Sequence, residues 1–301
     1  MGNSFSTAAD AGFMERLIRS LQVSNFKISI ITVVYHAADT IEQTIRSVVE
    51  QDYPNIEYII IDGGSTDGTL DVIKKYEDRI AYWVSEPDKG IYDAMNKGLS
   101  AATGDYIYYL GADDCLYDTA VISKIVSCLR SEAEPDVLCG AVMMVDPVYR
   151  IEKVYRSFFS EEAVLSGYNA PHQGMFVRRA ILNQHPFDTN YRVAADYKNF
   201  LTFYYLDSNI ILRQTDLIVA YYANDGVSGS EIEVQCMEYI RALQENGLDP
   251  SDCIKKRRGY LARIKNIAKK RLRKTRALKC LLLHYGWKRH SCSWEFCRWC
   301  K

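Results

Sequence analysis

Strand and helix signals alternate from Lys27 to Arg130, and that order predicts an α/β chain with a mixed, mostly parallel sheet flanked by helices. The run Ile59-Ile60-Ile61 is uninterruptedly apolar, as a strand buried on both faces requires. It ends in Asp62, a Gly63-Gly64 turn and a helix candidate, and ligands of open α/β sheets collect at such carboxyl ends of strands. An ordinary strand-to-helix connection would look similar, with Asp62 or Asp67 at the helix entry.

The elements follow in order. Lys27 to Val34 reads as the first strand, and Thr40 to Glu50 as a helix with Ile41, Ile45, Val48 and Val49 on one face. Ile56 to Ile61 is the second strand and Thr69 to Tyr76 the second helix. Ile80 to Ser85, the helix Ile91 to Ala101, and Tyr106 to Leu110 extend the alternation, and the fourth strand runs into Gly111-Ala112-Asp113-Asp114 before a helix at Thr119 to Arg130. Beyond Asp136 the pattern changes to two adjacent strands up to Arg156, then a strand at Met175 to Arg178 and a helix from Val193 to Leu206. The second half therefore has mixed topology on the same sheet.

With 301 residues and 48% hydrophobic content, the chain can bury a full core. The expected division is an N-terminal extension at 1–26, one α/β domain at 27–225 and a basic helical extension at 226–301. A net charge of −1 conceals an asymmetry, because Lys255 to Lys301 carry 17 Lys and Arg against the single acid Glu295, leaving 20 basic and 37 acidic residues before them. An acidic body argues against nucleic acid as the ligand, and a basic tail suggests an anionic surface. No apolar run reaches the length of a membrane span, and Met1 to Asn25 lacks the pattern of a secretory signal, so a cytosolic protein is expected. The nine cysteines lack framework spacing and read as reduced thiols. His290, Cys292, Cys297 and Cys300 offer zinc-type donors at irregular spacing.

Five ordered segments carry a resemblance: Ile30 to Tyr35, the Asp62 turn, Ser85-Glu86-Pro87-Asp88-Lys89-Gly90-Ile91-Tyr92-Asp93-Ala94-Met95-Asn96-Lys97-Gly98, Gly104-Asp105, and Leu110 to Asp114. Together they resemble family 2 glycosyltransferases of the Rossmann-like GT-A fold, and within these the bacterial enzymes that build O-antigen, capsule or colanic-acid-type exopolysaccharide. The resemblance implies a nucleotide-sugar donor, with UDP as the nucleotide, and a glycan or polyprenyl-diphosphate-linked acceptor.

It also implies roles for particular residues. Thr32, Tyr35 and Asp62 fall where the family holds the nucleoside, and the Asp62 carboxylate can accept the imide hydrogen of uracil. Lys89 offers charge to phosphate, while Asp93 and Asn96, three apart on a helix, can reach sugar hydroxyls from one side. The family's Asp-x-Asp metal motif is here Gly111-Ala112-Asp113, so Asp113 alone matches the ion-contacting position, with Asp114 a possible substitute, for Mg²⁺ or Mn²⁺. Asp196 falls where the family places the general base of inverting transfer, although Ala195 stands where a Glu is commoner. Asp196 as a helix cap remains the alternative. His172 and Gln173 resemble an acceptor-side segment, and His172 as a satisfied core histidine stays open. A sugar-nucleotide pyrophosphorylase would want a Gly-rich basic loop that Ile28 to His36 lacks, and a catalytically silent assembly protein is the reading Gly111 favours.

The tail has leucines and isoleucines at helical spacing among its basic residues, at Leu261, Ile264, Ala268 and Leu272 and again from Leu278 to Tyr285. That is the pattern of an amphipathic helix on an anionic membrane, here the cytosolic face of the inner membrane, or of a helix packed on the body. Each basic residue near such a surface contributes about 1 kcal/mol at low salt. Deleting residues 255–301 should therefore release the protein from anionic vesicles in flotation, whereas equal flotation of both forms would assign the stripe to packing.

Overall fold

The computed structural model describes residues 25–131, 133–146, 150–156, 159–167, 170–223, 231–256, 288–290 and 297. Residues 1–24 of the N-terminal extension, the apolar stripe of the basic tail from Leu261 to Tyr285, Cys292 and Cys300 lie outside them. At the centre of the sheet is β1 (Ile28–Val34), paired in parallel with β2 (Ile56–Asp62) on one edge and β4 (Tyr106–Tyr109) on the other. Its side chains alternate between two cores, as the two-residue period of a strand dictates. Ile31 packs with Ile59 and Ile61 on one face, and Ile28 and Ile30 with Tyr58 and Ile60 on the other. Each fully buried isoleucine contributes about 2 kcal/mol relative to exposure.

Helix α1 (Ile41–Val49) covers the second core with Ile41, Ile45 and Val48, and α2 (Thr69–Lys74) follows β2. Strand β3 (Tyr82–Ser85) pairs in parallel with β2 at the sheet's edge. Helix α3 (Ile91–Ala101) covers the first core with Tyr92, Met95 and Leu99. It lies very close to β1 at Gly98, where a Cβ would stand 2.4 Å from Ile31 Cγ2. A side chain there would force Ile31 or the helix to shift.

The second half reverses direction. Strand β5 (Cys115–Leu116), α4 (Val121–Leu129), β6 (Val137–Asp146) and β7 (Ile151–Tyr155) lead through α5 (Glu161–Leu165) to β8 (Met175–Arg178). Helices α6 (Arg179–Gln184) and α7 (Ala195–Leu201), strand β9 (Leu212–Ala223), α8 (Ile232–Glu245) and β10 (Lys288–Arg289) follow. The ten-stranded sheet runs β10-β7-β6-β8-β4-β1-β2-β3, with β9 beside β6 and β5. β8 is antiparallel to β4 and β6, so the parallel half joins an antiparallel half across the β4–β8 seam.

The expected mixed, mostly parallel plan is met between β1 and β4, with small shifts of boundary. The third strand starts at Tyr82, and the second helix stops at Lys74 before a 3₁₀ turn at Glu77–Arg79. The helix expected from Val193 begins at Ala195 and widens into a π turn at Thr202–Leu206. Strand β9 was invisible in the sequence because its first half is polar and its pairing is non-local. It runs parallel to β6 through register shifts around Gly140, where a Cβ would stand 2.5 Å from Val219 Cγ2.

Glu57 ties the N-terminal ends of the parallel strands together. Its carboxylate accepts hydrogen bonds from Lys27 Nζ at 2.6 Å, Ser29 Oγ at 2.6 Å, and the Thr103 N–H and hydroxyl at 2.7 and 2.6 Å. Burial by itself would raise its pKa, but these donors hold it down to about 2 from 4.5. A depressed folded pKa stabilises above the unfolded value and is lost as pH falls through the folded one, here between about pH 5 and pH 2. Urea unfolding of Glu57→Gln at pH 7 should show about 3 kcal/mol less stability and a flatter acid limb than the native chain.

Candidate active site

At the carboxyl end of β2, Asp62 is fully buried and organises the turn. Its Oδ2 accepts from the Gly64 N–H at 2.9 Å, the Ser65 N–H at 2.8 Å and the Ser85 hydroxyl at 2.6 Å. Its Oδ1 is a buried acceptor with no partner among the described residues. Such an atom costs about 1–3 kcal/mol until a donor reaches it. Tyr35 projects from the end of β1, 63% exposed, and stacks on His36 with ring centroids 4.0 Å apart. A Cβ on Gly63 would meet Asp88 Oδ2 at 2.5 Å and Tyr35 Cδ2 at 3.3 Å, so Tyr35 and Asp88 close over the turn from two sides. Thr32 departs from expectation: it is buried, its hydroxyl lies 3.2 Å from the Tyr58 hydroxyl, and strand alternation turns it into the core.

The segment from Glu86 to Gly98 is more structural than its composition suggests. Asp93 Oδ2 accepts from the Lys89 N–H at 3.0 Å and so fastens the start of α3, while the Lys89 side chain is exposed at the rim. Asn96 is a correction, since its amide is taken up at both ends by the backbone of Phe187, donating to the carbonyl at 2.8 Å and accepting from the N–H at 3.0 Å. Lys97 is not a purely solvent-facing residue. It bonds the Pro87 carbonyl at 3.0 Å and pairs with Glu86 at 2.8 Å, which holds the loop against α3.

Across the β4–β8 seam three ionisable groups converge. Asp113, partly exposed after β4, and Asp196, in the first turn of α7, both act electrostatically on His172, whose Nδ1 lies 4.0 Å from Asp196 Oδ2. Burial lowers the His172 pKa, outweighing the upward pull of Asp196 and then Asp113, so the imidazole favours its neutral form. Asp196 Oδ1 accepts from the Tyr92 hydroxyl at 3.1 Å. No side-chain cap closes the helix at Ala194. Gln173 donates to Asp114 Oδ2 at 3.0 Å, and Asp114 is buried.

Gly111 has a steric reason. A Cβ at this position would lie 2.7 Å from Asp114 Oδ2 and 3.0 Å from Asp113 Oδ1, so the two carboxylates fold over the space a side chain would fill. Among the described residues no three His, Cys, Asp or Glu side chains form a metal cage. Asp113 suits an ion that arrives with a diphosphate and takes most of its oxygen ligands from it and from water. His290 and Cys297 lie apart from the Asp113–His172–Asp196 group, in contact at 3.3 Å, with His290 Nδ1 2.6 Å from Glu152. A groove lined by Ile59, Tyr82, Glu86 and Lys97 runs beside edge strand β3 and holds none of the three converging groups.

Sequence reasoning left out Tyr92, Ser85 and Asp88 as site residues. All three belong to the quoted motif, but only folding reveals which of its side chains turn toward the carboxylates.

The fold agrees with the class that the motifs resemble, the GT-A glycosyltransferases. TarS 1-349 of S. aureus in complex with UDP-GlcNAc matches over 75% of this chain and 68% of its own, with a TM-score of 0.57 at 18% identity. The mannosyltransferase PcManGT from Pyrobaculum calidifontis in complex with GDP-Man and Mn²⁺ matches over 92% of this chain and 87% of its own, also at 0.57 and 18%. At the level of sequence, the model of Glycosyl transferase family 2 covers residues 29–200, and the chain belongs to that family. A PGL/p-HBAD biosynthesis glycosyltransferase of Mycobacterium tuberculosis is 29% identical over 219 residues, 71% of this chain and 83% of the relative. The putative teichuronic acid biosynthesis glycosyltransferase TuaG of Bacillus subtilis is 42% identical over 97 residues, 31% of this chain and 38% of its own.

The unequal burial of the two acidic neighbours separates their roles. Asp114→Ala should lower stability by about 1–3 kcal/mol in urea titration, as Gln173 loses a charged acceptor. Asp113→Ala should stay within about 0.5 kcal/mol of the native chain, and Asp113→Asn should reduce Mn²⁺-dependent activity more than Asp114→Asn. The opposite ranking would move the ion to Asp114.

Proposed function

We propose that this glycosyltransferase moves a sugar, with inversion, from a UDP-sugar to a glycan or polyprenyl-diphosphate-linked acceptor in the assembly of a cell-surface polysaccharide. The observation that carries this reading is the convergence of Asp196, His172 and Asp113 at the sheet end that also holds Asp62 and Tyr35. Relatives named for PGL/p-HBAD and teichuronic acid biosynthesis support the polysaccharide context, and the UDP-GlcNAc and GDP-Man complexes of structural neighbours support an activated donor.

Tyr35 offers an exposed aromatic face to the base, and Asp62 Oδ1 is an acceptor that the imide N–H of uracil would satisfy once Tyr35 and Asp88 part over Gly63. Asp113 would hold Mg²⁺ or Mn²⁺ together with diphosphate oxygens, and that ion would offset the charge developing on the leaving group. Asp196 takes the proton of the acceptor hydroxyl as its oxygen attacks the anomeric carbon from the face opposite UDP. The new glycosidic bond forms as the bond to the UDP oxygen breaks, and neutral His172, on which both carboxylates act, adds no charge to the site. Peripheral attachment at the cytosolic face of the inner membrane through the basic tail belongs to the same proposal. Among the described residues no helix is long and apolar enough to cross a membrane.

A thermal-shift panel of UDP, GDP and their sugars with Mn²⁺ identifies the donor, because at equal concentration c the tighter ligand stabilises the fold more, by RT ln(1 + c/Kd). Asp62→Ala should weaken UDP binding by about 1.5–3 kcal/mol in calorimetry. Asp196→Asn should slow transfer roughly 10²- to 10⁴-fold while UDP affinity stays near the native value. Near-normal transfer by Asp196→Asn, or retention of the donor's anomeric configuration in the product, would overturn the assignment.

A further inference from the structure

We infer that Tyr92 is a positioning residue for Asp196, holding one carboxylate oxygen from the donor side so that the other faces the acceptor side. The inference rests on the reading of Asp196 as the base. Tyr92 and Asp196 lie 104 positions apart, on α3 and α7, and meet through a 3.1 Å hydrogen bond from the phenol to Oδ1. Oδ2 is the oxygen turned toward His172, at 4.0 Å.

Three observations make this contact more than incidental packing. Tyr92 is only 5% exposed and its ring rests on Phe187 with centroids 5.4 Å apart, so the hydroxyl cannot swing away. Burial and then the charge of Asp196 push the phenol well above its ordinary pKa of 10, which keeps it a proton donor throughout the working range. One helical turn further on, Asn96 grips the Phe187 backbone from the same helix. Helix α3 thus holds both the segment leading to α7 and the carboxylate at its start. Tyr92 from α3 and His172 from the 3₁₀ turn His172–Gly174 both face Asp196, and Asp113 acts electrostatically on the same imidazole.

Tyr92→Phe removes the hydroxyl and keeps the ring. With the UDP-sugar that gives the largest thermal shift, kcat should fall about tenfold and donor KM should change less than about twofold, the loss of one hydrogen bond to a charged acceptor. In ¹³C-aspartate NMR of the ligand-free protein, the Asp196 resonance, assigned by its absence in Asp196→Asn, should titrate at higher pH in Tyr92→Phe because the ionised form has lost a donor. Asn96→Ala breaks the neighbouring grip without touching this bond. It should lower the melting temperature without moving that titration, which separates positioning from general loosening. Tyr92→Phe combined with Asp196→Asn should be no slower than Asp196→Asn alone. Native kcat with an unmoved titration in Tyr92→Phe, or an additive loss in the double variant, overturns the inference. Near-native transfer by Asp196→Asn alone instead removes the base reading, and the NMR shift then still reports whether Tyr92 holds the carboxylate.

Discussion

The donor side of the molecule depends on a carboxylate buried at the tip of β2. Once Asp62 is out of water, its charge must be met by directed hydrogen bonds, and one oxygen collects three of them from Gly64, Ser65 and Ser85. Those bonds fix the turn after β2 and fasten it to the end of β3. The turn then holds the end of β1 in place. His36 N–H donates to Ser65 Oγ at 2.8 Å, and Ala37 N–H to Thr69 Oγ1 at 2.9 Å. Tyr35 is thereby projected outward from a rigid base, while the second carboxylate oxygen is buried without a hydrogen-bond donor among the described residues.

The acceptor side depends on a different constraint, the change of strand direction at β4–β8. An antiparallel neighbour brings the residues just before β8 to the same sheet end as the residues just after β4. That is why His172 and Gln173 reach Asp113 and Asp114. Helix α3 links this side to the first through Gly98, Asn96 and Tyr92. The three are spaced along one helix, and each makes its own contact: Gly98 with β1, Asn96 with Phe187 and Tyr92 with Asp196.

Gly111 illustrates how a departure from a motif is absorbed. The missing first carboxylate leaves room into which Asp114 and Asp113 fold, and Gln173 bonds the deeper of the two. A side chain at 111 and the present placement of Asp114 exclude each other by hard-sphere contact. The pattern is therefore a rearranged acidic turn, and loss of the family's usual first carboxylate has not removed acidic groups from this place.

Local pattern alone determined the alternating half of this protein. Apolar runs with a two-residue period and amphipathic helices between them specify β1 to β4 and their helices, since each element's burial is written in its own spacing. The ordered motifs located Asp62 and Asp113 at turns, because glycine and carboxylate placement encodes such positions directly, and the family resemblance put Asp196 at a helix start. Tertiary structure decided what spacing cannot carry. It turned Thr32 inward to Tyr58, gave the Asn96 amide to Phe187 and kept Lys97 on the Pro87 carbonyl. It also drew β9 into the sheet despite a polar first half, and set Tyr92 against a carboxylate 104 positions away. Each of these outcomes depends on a partner remote in the chain, and a polar side chain takes the partner that folding brings within about 3 Å of it, which no local period can foretell.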